Sequence, residues 1–389
     1  MDSIARGLLE KLLAAGNRFA AGVTSRRPSL TASQLAAYRS LPSLQSKSAC
    51  EETLFAARSA GAIEVVRDRD NPDAGFIERV NLANVDVLAR FLGEIPLAVQ
   101  VEAAAKLLLE MAPEFPVIEQ VLGKWRQAGK IRGLGPDSAE DWHDAVSTIR
   151  FARSRIEEDL TSLPIREAST KLFRDSKRIE RLTTHADILL AGSTETKSRD
   201  ASEVWQEIGL FREERPALLA GFVEIKRGRV TSLLDAPYGG FPADTVQQVC
   251  SKIDFVLSIE NLTTFHSTAK RRCNEPVLFL YSGGMPSPSW RQMYRRLLTS
   301  IPESVPVFHW GDIDEGGFRI ASVLATDTPA TGHKLMPMFM HPEDIPKDQR
   351  VDASPKTVER MQHFARLAGW NDIADAIQTA KVMVEQEGL

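Results

Sequence analysis

Four short apolar runs, evenly separated by helix-like segments, constrain the fold of this chain more than any other feature. They are Phe255–Ile259, Val277–Tyr281, Val305–Trp310 and Leu335–Met340. Between them lie segments that read as helices, Ser289–Ser300 and a second beginning at Gly317 and running to Ala325. Strands that alternate with helices in this way pair in parallel, because a crossover of a dozen or more residues returns the chain to the same sheet edge. The expected result is an α/β block from about residue 236 onward, with helices on both faces. Its functional groups should gather at the carboxyl ends of the strands.

Two of the runs deliver carboxylates at that edge. Glu260 directly follows Phe255–Ile259. Asp312 and Asp314 follow Val305–Trp310 after Gly311. The two aspartates are two residues apart, so in an extended chain they share a face. Gly311, Gly316 and Gly317 bracket them and permit tight turning. Three gathered carboxylates repel one another unless a cation compensates. Mg²⁺ or Mn²⁺, which prefer oxygen ligands, suit such a set. Glu315 adds a fourth carboxylate, a second-metal ligand or a solvated side chain. The structural alternative is that Glu260 caps a helix and the aspartates shape a turn.

The rest of the chain reads as α+β. Leu8, Leu9, Leu12 and Leu13 form one helical stripe. Helices are expected over Thr31–Arg39 and Ser46–Ala60. A hairpin should follow from residues 62–66 and 76–80, with a turn at Asn71-Pro72-Asp73, an order typical of a small winged helix. Helices follow over Val85–Leu92, Leu97–Met111, Val117–Ala128 and Ser138–Leu160. Leu163–Leu182 reads as a basic helix, and Ala217–Leu234 as a hairpin. The expected blocks are a mostly helical one with a winged-helix pattern (1–135), a central one (136–235) and the α/β block (236–389).

Composition narrows the class. The 389 residues are 43% hydrophobic and 26% charged, with a net charge of −4. No run approaches the roughly 20 apolar residues of a membrane span. The N-terminus carries charges throughout and lacks the core of a signal peptide, so a cytoplasmic protein with no membrane partner is expected. The net charge argues against nucleic-acid binding by the whole surface but leaves room for a local basic face. One basic stretch runs from Arg150 through Lys171, Lys177 and Arg178 to Arg181, interleaved with acids. Lys177 and Arg178 can contact phosphates. Arg319, close after the aspartates, can steady a phosphate or form a surface ion pair. Gly283-Gly284 reads as a phosphate-holding turn or a plain one. His266 and His309 read as proton-transfer aids or as packed side chains. The cysteines, Cys50, Cys250 and Cys273, are too far apart in sequence to suggest a zinc site or a disulfide framework.

The segments SIENLTTFH (Ser258–His266), LYSGGMPS (Leu280–Ser287) and HWGDIDEGGFRIASVLA (His309–Ala325) resemble the TOPRIM half of the JetD (MksG) family, the nuclease subunits of Wadjet plasmid-defence systems. LPIREASTKLFRDSKRIERL (Leu163–Leu182) is similar to the same family. The resemblance covers residues 160–345 and, more loosely, the N-terminal block. It implies an N-terminal arm, a central CAP-type winged helix and a C-terminal TOPRIM domain, a layout similar to the A subunit of topoisomerase VI. It also implies a homodimer that cuts both strands of plasmid DNA, and an SMC-like ATPase and kleisin complex of the JetABC type as partner. By position, Glu260 becomes the catalytic glutamate, as metal ligand or general acid/base, and Asp312 and Asp314 the metal ligands. The topoisomerases attack DNA with a winged-helix tyrosine. Here the four tyrosines, Tyr38, Tyr238, Tyr281 and Tyr294, lie outside the central basic stretch. Water is then the expected nucleophile and hydrolysis the expected reaction. The alternatives are a non-catalytic DNA-binding or assembly subunit and a tyrosine-dependent strand-breaker.

Overall fold

The computed structural model describes residues 1–389 apart from 69–74, 159, 161, 214, 345–348 and 385–389. The expected turn at Asn71-Pro72-Asp73 therefore lies outside the described residues. The chain divides into two compact units, Met1–Ser147 with Thr184–Ser198, and Thr148–Thr183 with Arg199–Leu389.

In the first unit the leucine stripe does what its spacing requires. Helix Ser3–Ala20 starts at Asp2, whose side chain accepts from the Ala5 amide, and it buries Leu8, Leu9, Leu12 and Leu13. These leucines share a core with Leu54 and Ala57 of helix Leu44–Ser59 and with Leu88 of helix Val85–Phe91. Strand Ile77–Leu82 lies between Ser29–Leu30 and Ile63–Arg67 in an antiparallel sheet. The helix expected over Thr31–Arg39 is regular only over Ala36–Arg39. Its first half is diverted by local side-chain bonds: Gln34 Oε1 accepts from the Thr31 amide, and the Thr31 and Ser33 hydroxyls bond each other.

The second unit holds a six-stranded sheet. Its strands are β1 (Ala217–Ala220), β2 (Gly239–Phe241), β3 (Val256–Ile259), β4 (Leu278–Tyr281), β5 (Val307–Trp310) and β6 (Leu335–Pro337), in the order β6-β5-β3-β4-β1-β2. The β3/β4, β3/β5 and β5/β6 pairs are parallel, as the alternating pattern demands. β1 and β2 extend the sheet antiparallel beyond β4. The hairpin expected over Ala217–Leu234 is therefore shorter. It pairs Glu224–Arg227 with Val230–Leu233, while the apolar Ala217–Ala220 joins the large sheet and is covered there.

Helices cover both faces of the sheet. α1 (Leu262–Arg272) buries Phe265 and Ala269 on one side. The helices α2 (Pro288–Thr299), α3 (Glu315–Asp327), α4 (Pro355–Leu367) and α5 (Asn371–Ala380) close the other, with Met293, Phe318, Leu324, Met361 and Ile377 in one core. The basic stretch at Leu163–Leu182 is not one helix. Ile165–Phe173 ends at Arg174, which is left-handed at φ 56°, and Arg178–Arg181 follows as a separate turn. Asp175 accounts for the break, since its carboxylate accepts from the Lys177 amide and from Arg181. Among the described residues no helix is long and apolar enough to cross a membrane.

Candidate active site at the carboxyl edge of the sheet

β3 and β5 lie side by side in register, Ile259 opposite Trp310. The next residues of both chains therefore emerge at one edge. The Glu260 amide donates to the Trp310 carbonyl at 3.0 Å and continues the ladder by one rung. The Glu260 carboxylate turns back across the gap, where its Oε2 accepts from the Asp312 amide at 3.1 Å. The connection from β5 is held from the other side by Ile313, which exchanges backbone bonds with Val384 at 2.9 and 3.1 Å. Asp314 is the N-cap of α3, its Oδ1 accepting from the Gly317 amide at 2.8 Å. It thus shapes the start of that helix and stands at the cluster as well. The cap of α1 is Asn261, not Glu260.

Close approach requires two of the glycines. A Cβ on Gly311 would lie 2.7 Å from Glu260 Oε2 and 2.9 Å from His309 Nε2. A Cβ on Gly317 would lie 2.1 Å from the Asp312 carbonyl oxygen. Any side chain at either position would push the carboxylates apart.

Burial holds the Glu260 carboxyl well above the usual carboxylate range. The charges of Asp312 and Asp314 add to the rise, the Asp312 amide opposes it, and Glu203 contributes a further push. The three expected carboxylates therefore act on one another, and a fourth joins them. Glu203 sits in the first turn of helix Ala201–Gln206, where its side chain accepts from the Asp200 amide in a capping box. Its Oε1 is 3.8 Å from the position a Gly284 Cβ would take. Its capping-box spacing was readable in sequence; its closeness to the cluster was not, because it is set by tertiary packing.

The other expected site residues are engaged differently. Glu315 accepts from Arg360 Nε at 2.5 Å, which turns its carboxylate toward α4. Arg319 donates to Glu207 Oε1 at 2.6 Å, and Arg199 donates to Glu207 Oε2 at 2.7 Å. With 15% of each side chain exposed, the Arg319–Glu207 pair is the ion-pair alternative for Arg319, mostly covered by protein. Lys171 pairs with Glu167 one turn earlier at 2.7 Å, Lys177 is exposed, and Arg178 opens the short turn that follows. His266 stacks on Tyr238 with ring centres 5.0 Å apart. Gly283 and Gly284 both have positive φ, 67° and 77°, and form a turn four residues before α2 begins at Pro288.

His309 is buried completely, and burial pushes its imidazole down to about 3, so it is neutral. Its Nδ1 lies 2.9 Å from Ser258 Oγ. Tyr281, at the end of β4, has its hydroxyl pushed up by burial. The Arg215 charge lowers it, and Glu203 and Glu260 raise it further. Tyr38 and Tyr294 are buried with hydroxyls driven up chiefly by burial, which disfavours either as a nucleophile.

Hard oxygen donors that raise one another's affinity for a proton suit a divalent cation. As the side chains stand, no three His, Cys, Asp or Glu groups among the described residues converge closely enough to hold a metal. The cluster fits such an ion in charge and donor type, but not in the present placement of its side chains.

The model of the family described as Wadjet protein JetD, C-terminal, matches residues 226–389. The Wadjet protein JetD of Bacillus cereus (strain Q1) is 33% identical over 182 residues, 43% of this chain and 42% of that protein. The chain therefore spans less than half the length of this relative in the alignment. Glu260, Asp312, Asp314, Glu315 and Arg319 fall inside the matched family region, whereas Lys171, Lys177, Arg178 and Glu203 precede it. Residues 226–389 of this chain are thus similar to the C-terminal part of Wadjet protein JetD.

Proposed function

We propose that this chain is a divalent-metal-dependent endonuclease of a Wadjet-type anti-plasmid system, with a TOPRIM active site formed by Glu260, Asp312 and Asp314. The observation that carries this reading is the meeting of Glu260 with the Asp312 loop at the carboxyl ends of adjacent parallel strands, held by the hydrogen bond from the Asp312 amide to Glu260 Oε2. A parallel sheet presents ligand-binding groups at this edge. The kinship with Wadjet protein JetD supports the system, and an SMC-like ATPase and kleisin complex as partner.

In this reading Glu260, Asp312 and Asp314 hold Mg²⁺ or Mn²⁺. The ion supplies charge stabilisation for a phosphoryl oxygen and lowers the pKa of a water nucleophile. Asp314 stays oriented by its bond to the Gly317 amide, and the Asp312 amide fixes Glu260. Glu260, with its affinity for a proton raised, is the group suited to take the proton from water or return one to the leaving oxygen. Lys177 and Arg178 serve as contacts to the DNA backbone, which is neutralised by basic side chains. The arm (1–135), CAP-type winged-helix (136–235) and TOPRIM (236–389) layout and the homodimer belong to the same proposal.

The test is supercoiled plasmid incubated with the purified chain and Mn²⁺ or Mg²⁺, alone and with the SMC-like complex and ATP. Nicked or linear product from the native chain and none from Asp312→Ala supports the reading. Equal product from both refutes it. A second reading, a DNA-binding subunit without catalysis, draws on the unconverged side chains. DNA binding with no cutting in either setting favours it. A covalent protein–DNA adduct on denaturing gels would instead mark a tyrosine-dependent strand-breaker.

A further inference from the structure

One face of the sheet turns from apolar to polar just before the cluster. Val256 lies between Leu278 and Val307, all three buried in the same core. Two residues on, the same face carries Ser258 between Leu280 and His309. Ser258 and His309 have no exposed surface. Burying an imidazole and a hydroxyl where valine or leucine would fit costs stability unless every polar atom is bonded.

Only part of this pair is satisfied. Ser258 Oγ bonds His309 Nδ1 at 2.9 Å and reaches the Phe308 carbonyl at 3.2 Å. His309 Nε2 is buried and has no hydrogen-bond partner among the described residues. It points along the face toward the next position of the alternation. There Gly311 leaves a space, since a Cβ would come within 2.9 Å of His309 Nε2 and 2.7 Å of Glu260 Oε2. The missing side chain thus lets two polar atoms from adjacent strands face the same small gap.

We propose that Ser258 and His309 form a positioning pair for Glu260, with Ser258 fixing the ring and His309 Nε2 steadying the Glu260 carboxylate as it binds a divalent cation. The inference rests on the reading of Glu260 as a metal ligand. Groups that orient a ligand, though they do not touch the metal, typically change metal affinity or activity by roughly 10–100-fold when removed. His309 is a positioning residue, not a catalytic one.

Stability separates this role from a structural one. Replacing both members of a buried polar pair by apolar groups of similar shape is often neutral or stabilising. The double variant Ser258→Ala, His309→Leu should therefore unfold at the same temperature as the native chain or higher. It should also bind Mn²⁺, read by electron paramagnetic resonance, at least about tenfold more weakly. Plasmid cutting should fall in parallel. His309→Gln, which keeps a polar atom near the Nε2 position, should recover part of the Mn²⁺ affinity.

A double variant that binds Mn²⁺ as the native chain does overturns the inference. So does a lower unfolding temperature with no recovery in His309→Gln, because the pair is then structural. A native chain that neither binds Mn²⁺ nor cuts removes the functional reading, and this inference with it. A native chain that does either, beside an unchanged variant, removes this inference alone.

Discussion

Two buried glutamate environments in this molecule show opposite treatments of charge. In the first unit Glu51 stands at 13% side-chain exposure and is fully compensated. Arg67 donates to it at 2.7 Å, Lys47 lies 3.7 Å away, and the buried Tyr38 gives it a hydrogen bond. The Tyr38 oxygen in turn accepts from the Ile77 amide at 3.3 Å, which ties the network into the sheet. In the second unit Glu260 is partly buried beside two aspartates and within the field of Glu203, and its Oε2 accepts from the Asp312 backbone amide. The first arrangement holds a fold together. The second gathers like charges that raise one another, as a ligand site does.

That contrast can be broken experimentally, and the largest expected effect is on catalysis. Glu260→Ala should lower plasmid cutting by on the order of a thousandfold, the loss of several kcal/mol of stabilisation by a metal. Its unfolding temperature without metal should not fall. A cleavage time course beside thermal unfolding checks both. Glu51→Ala should do the reverse. Removing this acceptor should lower stability by about 2 kcal/mol, as for a hydrogen bond to a charged group, with cutting per folded molecule unchanged. Denaturant unfolding measures it, and a Glu51 variant as stable as the native chain would end the comparison.

A smaller effect sharpens it through pH. A carboxyl held above its unfolded value binds its proton more tightly in the folded chain. Stability is therefore lost as pH rises from the ordinary carboxylate range through the raised Glu260 value. Glu260→Gln removes that loss. Without metal, its unfolding temperature should exceed the native one at neutral pH, and the gap should close below about pH 4, where the unfolded carboxyl is also protonated. A gap independent of pH would mean that the Glu260 charge does not strain the fold. The smallest effect is expected at Lys171. Its pair with Glu167 is half exposed, so Lys171→Ala should change stability by no more than about 0.5 kcal/mol. Any loss of DNA affinity in that variant then reports on phosphate contact.

The parallel strands and their terminal acids were legible in sequence because both signals are local. An apolar run followed at once by Glu260, or by Gly311 and Asp312, contains its own position on the sheet edge. The leucine stripe at residues 8–13 was legible for the same reason. What escaped depends on distant chain. Arg319 is tied to Glu207, 112 residues earlier, and Glu315 to Arg360, 45 residues later, and no spacing rule marks either pair. The strand Ala217–Ala220 was read as part of a hairpin because its apolar run carries no sign of its partner. The helix expected through Leu163–Leu182 breaks where the Asp175 side chain competes for the backbone. His309 was visible as a residue, but its burial and its facing of Glu260 arise only from the register of β3 with β5.

The central claim is that Glu260, Asp312 and Asp314 converge on a divalent cation. Crystals of the full chain soaked in Mn²⁺ and measured at the manganese absorption edge test it most directly. The account predicts an anomalous peak bounded by those three carboxylates and absent from Asp312→Ala. A peak elsewhere, or none at this edge of the sheet in the native protein, would contradict it.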